Sequence, residues 1–328
     1  MTALRARLGR GGSLLLLPLS ILPFLLIGPS LVDSHAQFQR DKKSHALPAP
    51  AVVLSAAELA RWKPLPAFGG AVPVIRYEGV GDGGPRSVTQ LQLGRQLAML
   101  TLLGFRSISI RQYVRWRSGK TAGMPQRPVL ITFDGGRLSS FRGADRLLQR
   151  YGAVATMFVP TARIASRDRE LLTWKELHGM QASGRWDVQA EGTHGDARVV
   201  KDPSGDMAPA YAFRRYTNGG GFETYADWQT RVTRDVFAAR DALVAQGFEP
   251  AAFAVPGGDL GETANNDARI PTYVRSLVAT QFGPAFVRND RNYPAFSTPG
   301  GNASRLEIGR ATTADSLYAW LRAKDPAR

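Results

Sequence analysis

The sequence predicts an α/β domain built on a mostly parallel sheet, most simply a (β/α) barrel. From residue 72 onward, short apolar strand patterns alternate with amphipathic helix patterns, which is typical of parallel strands joined by helices. Residues 128–136, PVLITFDGG, form an apolar run that ends at an acid and two glycines. Such a run predicts a parallel strand buried on both faces. One domain from residue 71 to 323 is the simplest division.

The strands and helices follow one another in a regular order. Strands are predicted over 72–77, 105–110, 128–133, 153–159, 186–190, 251–255, 285–287 and 305–308. Helices are predicted over 87–103, 110–116, 139–151, 173–183, 225–246, 270–282 and 313–321. A loop rich in Gly, Pro and Asp covers about 192–222. The longest helix places one apolar stripe toward the core, consisting of Trp228, Val232, Val236, Ala239 and Leu243.

The residues before the domain have the features of an export signal and a linker. Three arginines within the first ten residues precede an uncharged stretch over 11–32 that is rich in Leu, Ile and Phe. The small residues Ser34 and Ala36 have the spacing for cleavage after Ala36, whereas the stretch is also long enough for an uncleaved membrane anchor. We therefore assign 1–36 to a signal peptide or anchor and the proline-punctuated residues 37–70 to a linker. Both alternatives predict an exported protein, either secreted or anchored to the outer face of the cytoplasmic membrane.

Within the linker, Ser55 and Glu58 have the spacing of a capping box, which predicts a short helix ending near Trp62.

Composition restricts the partners. Lys and Arg number 42 against 27 Asp and Glu, and the net charge of +15 suits anionic cell-wall polymers or a membrane surface. Nucleic acid is not predicted as a partner, because no zinc finger, RNP aromatic motif or basic dimerising helix is present. The absence of cysteine excludes disulfides, thiolate metal sites and cysteine nucleophiles.

Asp134 is the first candidate for chemistry. It stands at the carboxyl end of the predicted 128–133 strand, where α/β barrels place their active sites. Taken alone, its position favours the simpler interpretation that it caps the helix that follows. The motifs around it decide between these interpretations.

Several segments in consistent order resemble the polysaccharide deacetylase family, whose members carry a nodulation-type deacetylase homology domain. The similar segments are 72–77 (VPVIRY), 127–136 (RPVLITFDGG), 151–159 (YGAVATMFV), 172–177 (LTWKEL), 183–190 (SGRWDVQA) and 253–259 (FAVPGGD). The resemblance implies a distorted (β/α) barrel and the removal of acetyl groups from N-acetylated sugars, a hydrolysis of non-peptide C–N bonds. The implied partner is an envelope or capsular polysaccharide.

In that family, one Asp and two His hold a divalent metal, which polarises the amide carbonyl and activates a water. The first Asp of an Asp-Asp pair acts as the base and the second binds the metal. On this resemblance Asp134 has the position of the catalytic base, and Gly135 that of the metal-binding Asp. Glu191 and Asp196 occupy the two histidine positions, and a shifted alignment brings His194 to the first of them. A metal such as Zn, Mn, Co or Mg is therefore implied only if the substituted site still binds one.

Two interpretations of these substitutions remain open. Asp134, Glu191 and Asp196 could form an oxygen-rich site for a hard cation such as Mg²⁺, Ca²⁺ or Mn²⁺. Alternatively, the chain is a pseudoenzyme that keeps a sugar-sized cleft without the metal, and the simultaneous loss of several ligands favours this view. Without a metal, the three acids would repel one another and raise the pKa of one of them.

Three further residues are predicted to bind substrate. Tyr211 and Tyr216 lie in the long loop and could stack on sugar rings. Asp259 follows a strand in a Pro-Gly-Gly-Asp turn and is a candidate cleft residue, although turn chemistry explains it about as well.

Three functions follow from these residues. The first is an exported deacetylase of envelope or capsule polysaccharide, with catalysis impaired by the substituted ligands. The second is a non-catalytic domain that binds polysaccharide or an active partner enzyme. The third is a cationic envelope protein that binds anionic polymers through charge alone.

Overall fold

The computed structural model describes residues 46–66, 70–81, 84–166, 168–264, 266–288 and 303–323. The predicted signal or anchor segment, 1–36, lies outside the described residues, as does the start of the predicted linker. Over the described ranges, none of the helices has the length and apolar character needed to cross a membrane.

The strands are β1 (Val74–Tyr77), β2 (Gly79–Val80), β3 (Ser87–Val88), β4 (Arg106–Ser107), β5 (Pro128–Phe133), β6 (Ala155–Val159), β7 (Trp186–Ala190), β8 (Arg198–Val200), β9 (Met207–Pro209), β10 (Tyr216–Thr217), β11 (Gly221–Phe222), β12 (Phe253–Ala254), β13 (Ala285–Arg288) and β14 (Ala303–Ile308). The helices are α1 (Ala56–Arg61), α2 (Gln90–Leu102), α3 (Ile110–Arg117), α4 (Leu138–Arg150), α5 (Thr161–Ile164), α6 (Trp174–Ala182), α7 (Tyr225–Ala245), α8 (Arg269–Gln281) and α9 (Ala314–Ala323).

The described strands form a closed barrel of seven parallel strands in the order β1-β14-β13-β12-β7-β6-β5, and β5 pairs back with β1. β4 lies outside this ring and pairs only with the first residues of β5. The predicted (β/α) barrel is confirmed. All six residues of β5 are buried, as the continuous apolar run predicted, because helices cover the outside of the barrel while side chains fill its interior.

The longest helix covers the barrel with the face that its sequence predicted. In α7 the buried residues are the five of the predicted stripe, which are Trp228, Val232, Val236, Ala239 and Leu243. Capping boxes open α1, α2, α3 and α6, so these helices begin where a Ser or Thr precedes a Glu or Gln by three residues.

Residues 46–66 pack against the barrel, although the sequence assigned them to a linker. The predicted capping box and short helix are present as Ser55, Glu58 and α1. Trp62 is only 3% exposed, and its indole N–H donates to Asp315 in α9 at 2.7 Å. The backbone N–H of Leu47 donates to the carbonyl of Arg142 at 2.8 Å. The unit that contains the barrel therefore begins at Ala46.

The long loop after β7 contains two antiparallel hairpins that the sequence did not predict. β8 pairs with β9, and β10 pairs with β11. Strands of two or three residues give no detectable alternation of apolar and polar residues, so the sequence pattern indicates a loop over the whole segment.

Candidate functional site

The candidate site lies at the carboxyl ends of the barrel strands. Asp134 directly follows β5 and Glu191 directly follows β7. Arg76 lies in β1, the strand next to β5, and Arg305 lies in β14, on the other side of β1. A cleft of about 70 Å³ opens here. Its charged lining, among the described residues, comprises Arg76, Arg86, Arg137, Arg163, Arg288, Glu78, Asp134, Glu191, Asp196 and Glu307.

Asp134 is held by two arginines and is 1% exposed. Arg305 donates from Nη1 to Oδ1 at 2.6 Å and from Nη2 to Oδ2 at 2.7 Å, and Arg76 donates from Nε to Oδ2 at 2.6 Å. Burial alone would raise the pKa of Asp134, but the charges of Arg305 and Arg76 outweigh it and hold that pKa below its usual range. Asp134 is therefore ionised, with both of its oxygens bound to guanidinium groups.

Arg305 is fully buried and has no exit to solvent. Its guanidinium lies 5.4 Å from the ring centroid of Phe158 and 5.8 Å from that of Phe286, so aromatic faces enclose the charge. A buried arginine requires an anionic partner, and Asp134 provides it.

Glu191 differs from Asp134 in its charge. It is buried, and its Oε2 accepts a hydrogen bond from the backbone N–H of Gly135 at 2.9 Å. Burial, followed by the charge of Asp134, raises the pKa of Glu191 to about 8. Glu191 is therefore mainly protonated at neutral pH, and the predicted rise in pKa of one acid falls on this residue.

The residues present do not fit the metal that the family uses. Gly135 has no side chain, and Glu191 accepts a hydrogen bond from its amide. Both oxygens of Asp134 accept from arginines, and the positive charges of Arg76 and Arg305 disfavour a cation beside them. The Asp196 side chain is 68% exposed and forms an ion pair with Arg163 at 3.7 Å. Throughout the described ranges, no group of three or more His, Cys, Asp or Glu residues is placed to hold a metal ion.

The predicted sugar contact Tyr211 is instead a buried residue that fixes the loop after β7. It is 5% exposed, and its hydroxyl donates to Asp235 of α7. Asp235 also accepts two hydrogen bonds from Thr193, one from its hydroxyl and one, at 3.1 Å, from its backbone N–H. A side chain at Gly192 would bring its Cβ within 2.9 Å of Asp235, so only glycine fits here. Tyr211 is therefore unavailable to a sugar ring.

The other candidate site residues differ in their exposure and in their contacts. Tyr216 is partly exposed in β10, and its ring lies 5.2 Å from that of Phe222. Asp259 accepts from the backbone N–H of Gly261 at 2.8 Å, which is a turn contact, and does not line the cleft. His194 is exposed, and its Nδ1 lies 2.7 Å from the hydroxyl of Thr193.

The comparisons with known proteins agree with the barrel fold. Residues 121–273 match the family model described as polysaccharide deacetylase, from just before β5 into α8. Residues 121–273 form a domain of the polysaccharide deacetylase type. Comparison with curated protein sequences gives no significant match.

Solved structures share the fold of this domain. A de-N-acetylase from Aggregatibacter actinomycetemcomitans is 18% identical, with a TM-score of 0.66, over 76% of this chain and 100% of that one. The BpsB deacetylase domain from Bordetella bronchiseptica is 20% identical, with a TM-score of 0.59, over 74% and 97%. A Streptococcus pyogenes deacetylase, PplD, solved with acetate, is 17% identical, with a TM-score of 0.58, over 80% and 100%. At these identities the similarity establishes the barrel.

Proposed function

We propose that this chain is an exported deacetylase-like protein that binds envelope or capsular polysaccharide and no longer catalyses metal-dependent deacetylation. The observation that carries this proposal is the pairing of Asp134 with Arg76 and Arg305. A general base must offer a lone pair to the proton it removes, and its pKa should lie near the working pH. Asp134 is poorly suited to this role, because three guanidinium hydrogen bonds leave it at most one of its four lone-pair positions and its pKa is depressed.

The substituted positions support the same conclusion. The arginines balance the charge of Asp134, while Gly135 and the neutral Glu191 offer no anionic ligand beside it. The cleft itself persists at the strand ends, with arginines and acids that could hydrogen-bond to sugar hydroxyl and amide groups. Export is supported by the basic and apolar N-terminal sequence.

Acetate release tests the loss of catalysis. The protein is incubated with N-acetylglucosamine oligomers, and separately with a generic acetyl ester, in the presence of Mn²⁺, Co²⁺ or Zn²⁺. We expect no release above that of an Asp134→Asn variant, together with calorimetric binding of the oligomers in buffer that contains a chelator. Release that requires metal and disappears in Asp134→Asn would establish an active deacetylase instead.

The net charge of +15 favours a second candidate, a protein that binds anionic cell-wall polymers through charge alone. Such binding would be lost at moderate salt, because exposed charges are screened over about 10 Å at 0.1 M ionic strength. Binding of neutral oligomers that persists in salt distinguishes the proposed function from this one.

A further inference from the structure

The two hairpins after β7 lie beside the mouth of the cleft. Asp196 lines the cleft, and β8 begins two residues later. Pro209, at the end of β9, packs against Gly257, where a Cβ would lie 3.3 Å from the Pro209 ring. Gly257 also lines the cleft, and β10 packs against β8. The β10–β11 hairpin is therefore separated from the cleft by one other hairpin.

The β10–β11 hairpin presents an aromatic surface to solvent. Phe222 is 49% exposed, and the ring of Tyr216 meets it edge-on at a centroid distance of 5.2 Å. The guanidinium of Arg214 lies 5.7 Å from the centroid of Phe222 and is fixed by donation to the carbonyl of Glu223 at 3.1 Å. We call Phe222, Tyr216 and Arg214 together the Phe222 platform.

Side-chain contacts from α7 hold the hairpin, although its strands are only two residues long. Arg231 of α7 donates to both carboxylate oxygens of Glu223, at 2.8 and 2.7 Å, and to the carbonyls of Ala210 and Phe213. Glu223 in turn accepts from the backbone N–H of Arg215 at 2.9 Å. An isolated hairpin of this size would be unstable, so these contacts keep the platform in place before any ligand arrives. A side chain that is already ordered loses less conformational entropy on binding.

We infer that the Phe222 platform is a stacking subsite for a sugar ring of a polysaccharide chain that extends out of the cleft. The inference rests on the proposed function. A cleft of about 70 Å³ admits only a small group such as an acetamido substituent, since ligand pockets commonly reach about 300 Å³ or more. The remaining rings of a bound chain must therefore lie on the rim.

The chemistry of the platform matches that requirement. The C–H face of a pyranose ring is apolar and packs on an aromatic face, while its edge of hydroxyl and amide groups needs polar partners. The Tyr216 hydroxyl and the Arg214 guanidinium supply such partners next to Phe222.

Calorimetric binding of N-acetylglucosamine oligomers of two and six sugars tests this subsite. Phe222→Ala is compared with Phe237→Ala, because Phe237 is also an exposed phenylalanine (37%) with an arginine, Arg240, over its ring at 5.1 Å, but lies on α7. We expect Phe222→Ala to weaken binding of the six-sugar oligomer by about 3- to 10-fold, as for the loss of one aromatic contact. Binding of the two-sugar oligomer, and both affinities of Phe237→Ala, should stay unchanged. Thermal unfolding of each variant verifies the fold.

The outcomes separate this inference from the function on which it rests. If the wild-type protein binds the longer oligomer and Phe222→Ala binds it equally well, the platform is refuted and the proposed function stands. If the wild-type protein binds neither oligomer, the proposed function fails, and the subsite fails with it. An equal loss for both oligomer lengths would also overturn the inference, because the short ligand should not reach the platform.

Discussion

Asp134→Asn is expected to destabilise the domain by about 3–5 kcal/mol, the usual effect of removing one partner from a buried ion pair. The magnitude follows from burial and geometry. Asp134 and Arg305 are both buried, and three hydrogen bonds of 2.6–2.7 Å join the carboxylate to its two arginines. Without the negative charge, Arg305 loses the ion pair that holds it within the described ranges. Arg76 retains Glu307 at 3.5 Å and Glu78 at 3.7 Å, which limits the loss.

A double-mutant cycle isolates this contribution. Arg305→Met removes the buried guanidinium and leaves an apolar side chain between Phe158 and Phe286. In the double variant no buried charge is left without a partner at these two positions, so we expect it to be more stable than the sum of the single effects predicts. The expected coupling energy is about 2–3 kcal/mol.

Equilibrium unfolding in urea at neutral pH measures all four proteins, with an unchanged m-value as the test of comparable unfolding. Asp241→Asn is the matched control, because Asp241 pairs with Arg240 at 2.8 Å on the surface and should change stability by no more than about 1 kcal/mol. The reasoning is refuted if Asp134→Asn is as stable as this control, since Asp134 would then be a loosely held carboxylate available for chemistry.

Two further predictions concern Glu191 and residues 46–66. Because the folded-state pKa of Glu191 is raised from 4.5 to about 8, its contribution to stability is present at low pH and is lost as the pH rises through that window. Glu191→Gln keeps an acceptor for the Gly135 amide and should remove this dependence of stability on pH. Above pH 8 its free energy of unfolding should exceed that of the wild type by at most about 5 kcal/mol. A difference between the two proteins that does not change with pH in urea titrations would contradict the raised pKa of Glu191. Trp62→Ala should cost about 3–5 kcal/mol, because the indole is buried, whereas Leu59→Ala on the exposed side of α1 should change stability by about 0.5 kcal/mol or less. Equal effects of the two substitutions would show that residues 46–66 do not stabilise the barrel.

The fold was predictable because its signals are local. Helix and strand periods recur every few residues, so the apolar run of β5 and the buried stripe of α7 could be read directly from the chain. The barrel followed from the alternation of these elements. The two short hairpins were missed because their strands contain too few residues to establish a period.

The candidate site was only partly predictable. Asp134, Glu191 and Asp196 all line the cleft, as their places in the predicted motifs indicated. Arg305, however, lies 171 residues from Asp134 along the chain. No local pattern predicts an ion pair between residues with such a large separation in sequence. An arginine inside the apolar strand β1 was the available signal for Arg76, whereas β14 also contains Ser304 and Glu307 and gave no such signal for Arg305.

The burial of Tyr211 was unpredictable for a similar reason. Its partner Asp235 lies 24 residues later on a different element, and nothing in the loop sequence distinguishes a buried tyrosine from one exposed to ligand. Asp235 itself gave no signal, because an acid beside the apolar stripe of a helix reads as an ordinary surface residue.

The metal content of the purified protein is the most direct test of the central claim, that the cleft around the arginine-bound Asp134 binds no metal. The protein is exposed in turn to Zn²⁺, Mn²⁺ and Co²⁺, dialysed against metal-free buffer and subjected to elemental analysis beside Asp134→Asn. We predict far less than one ion per chain for every metal, with no difference between the two proteins. Nearly one ion per wild-type chain, lost in Asp134→Asn, would contradict the claim.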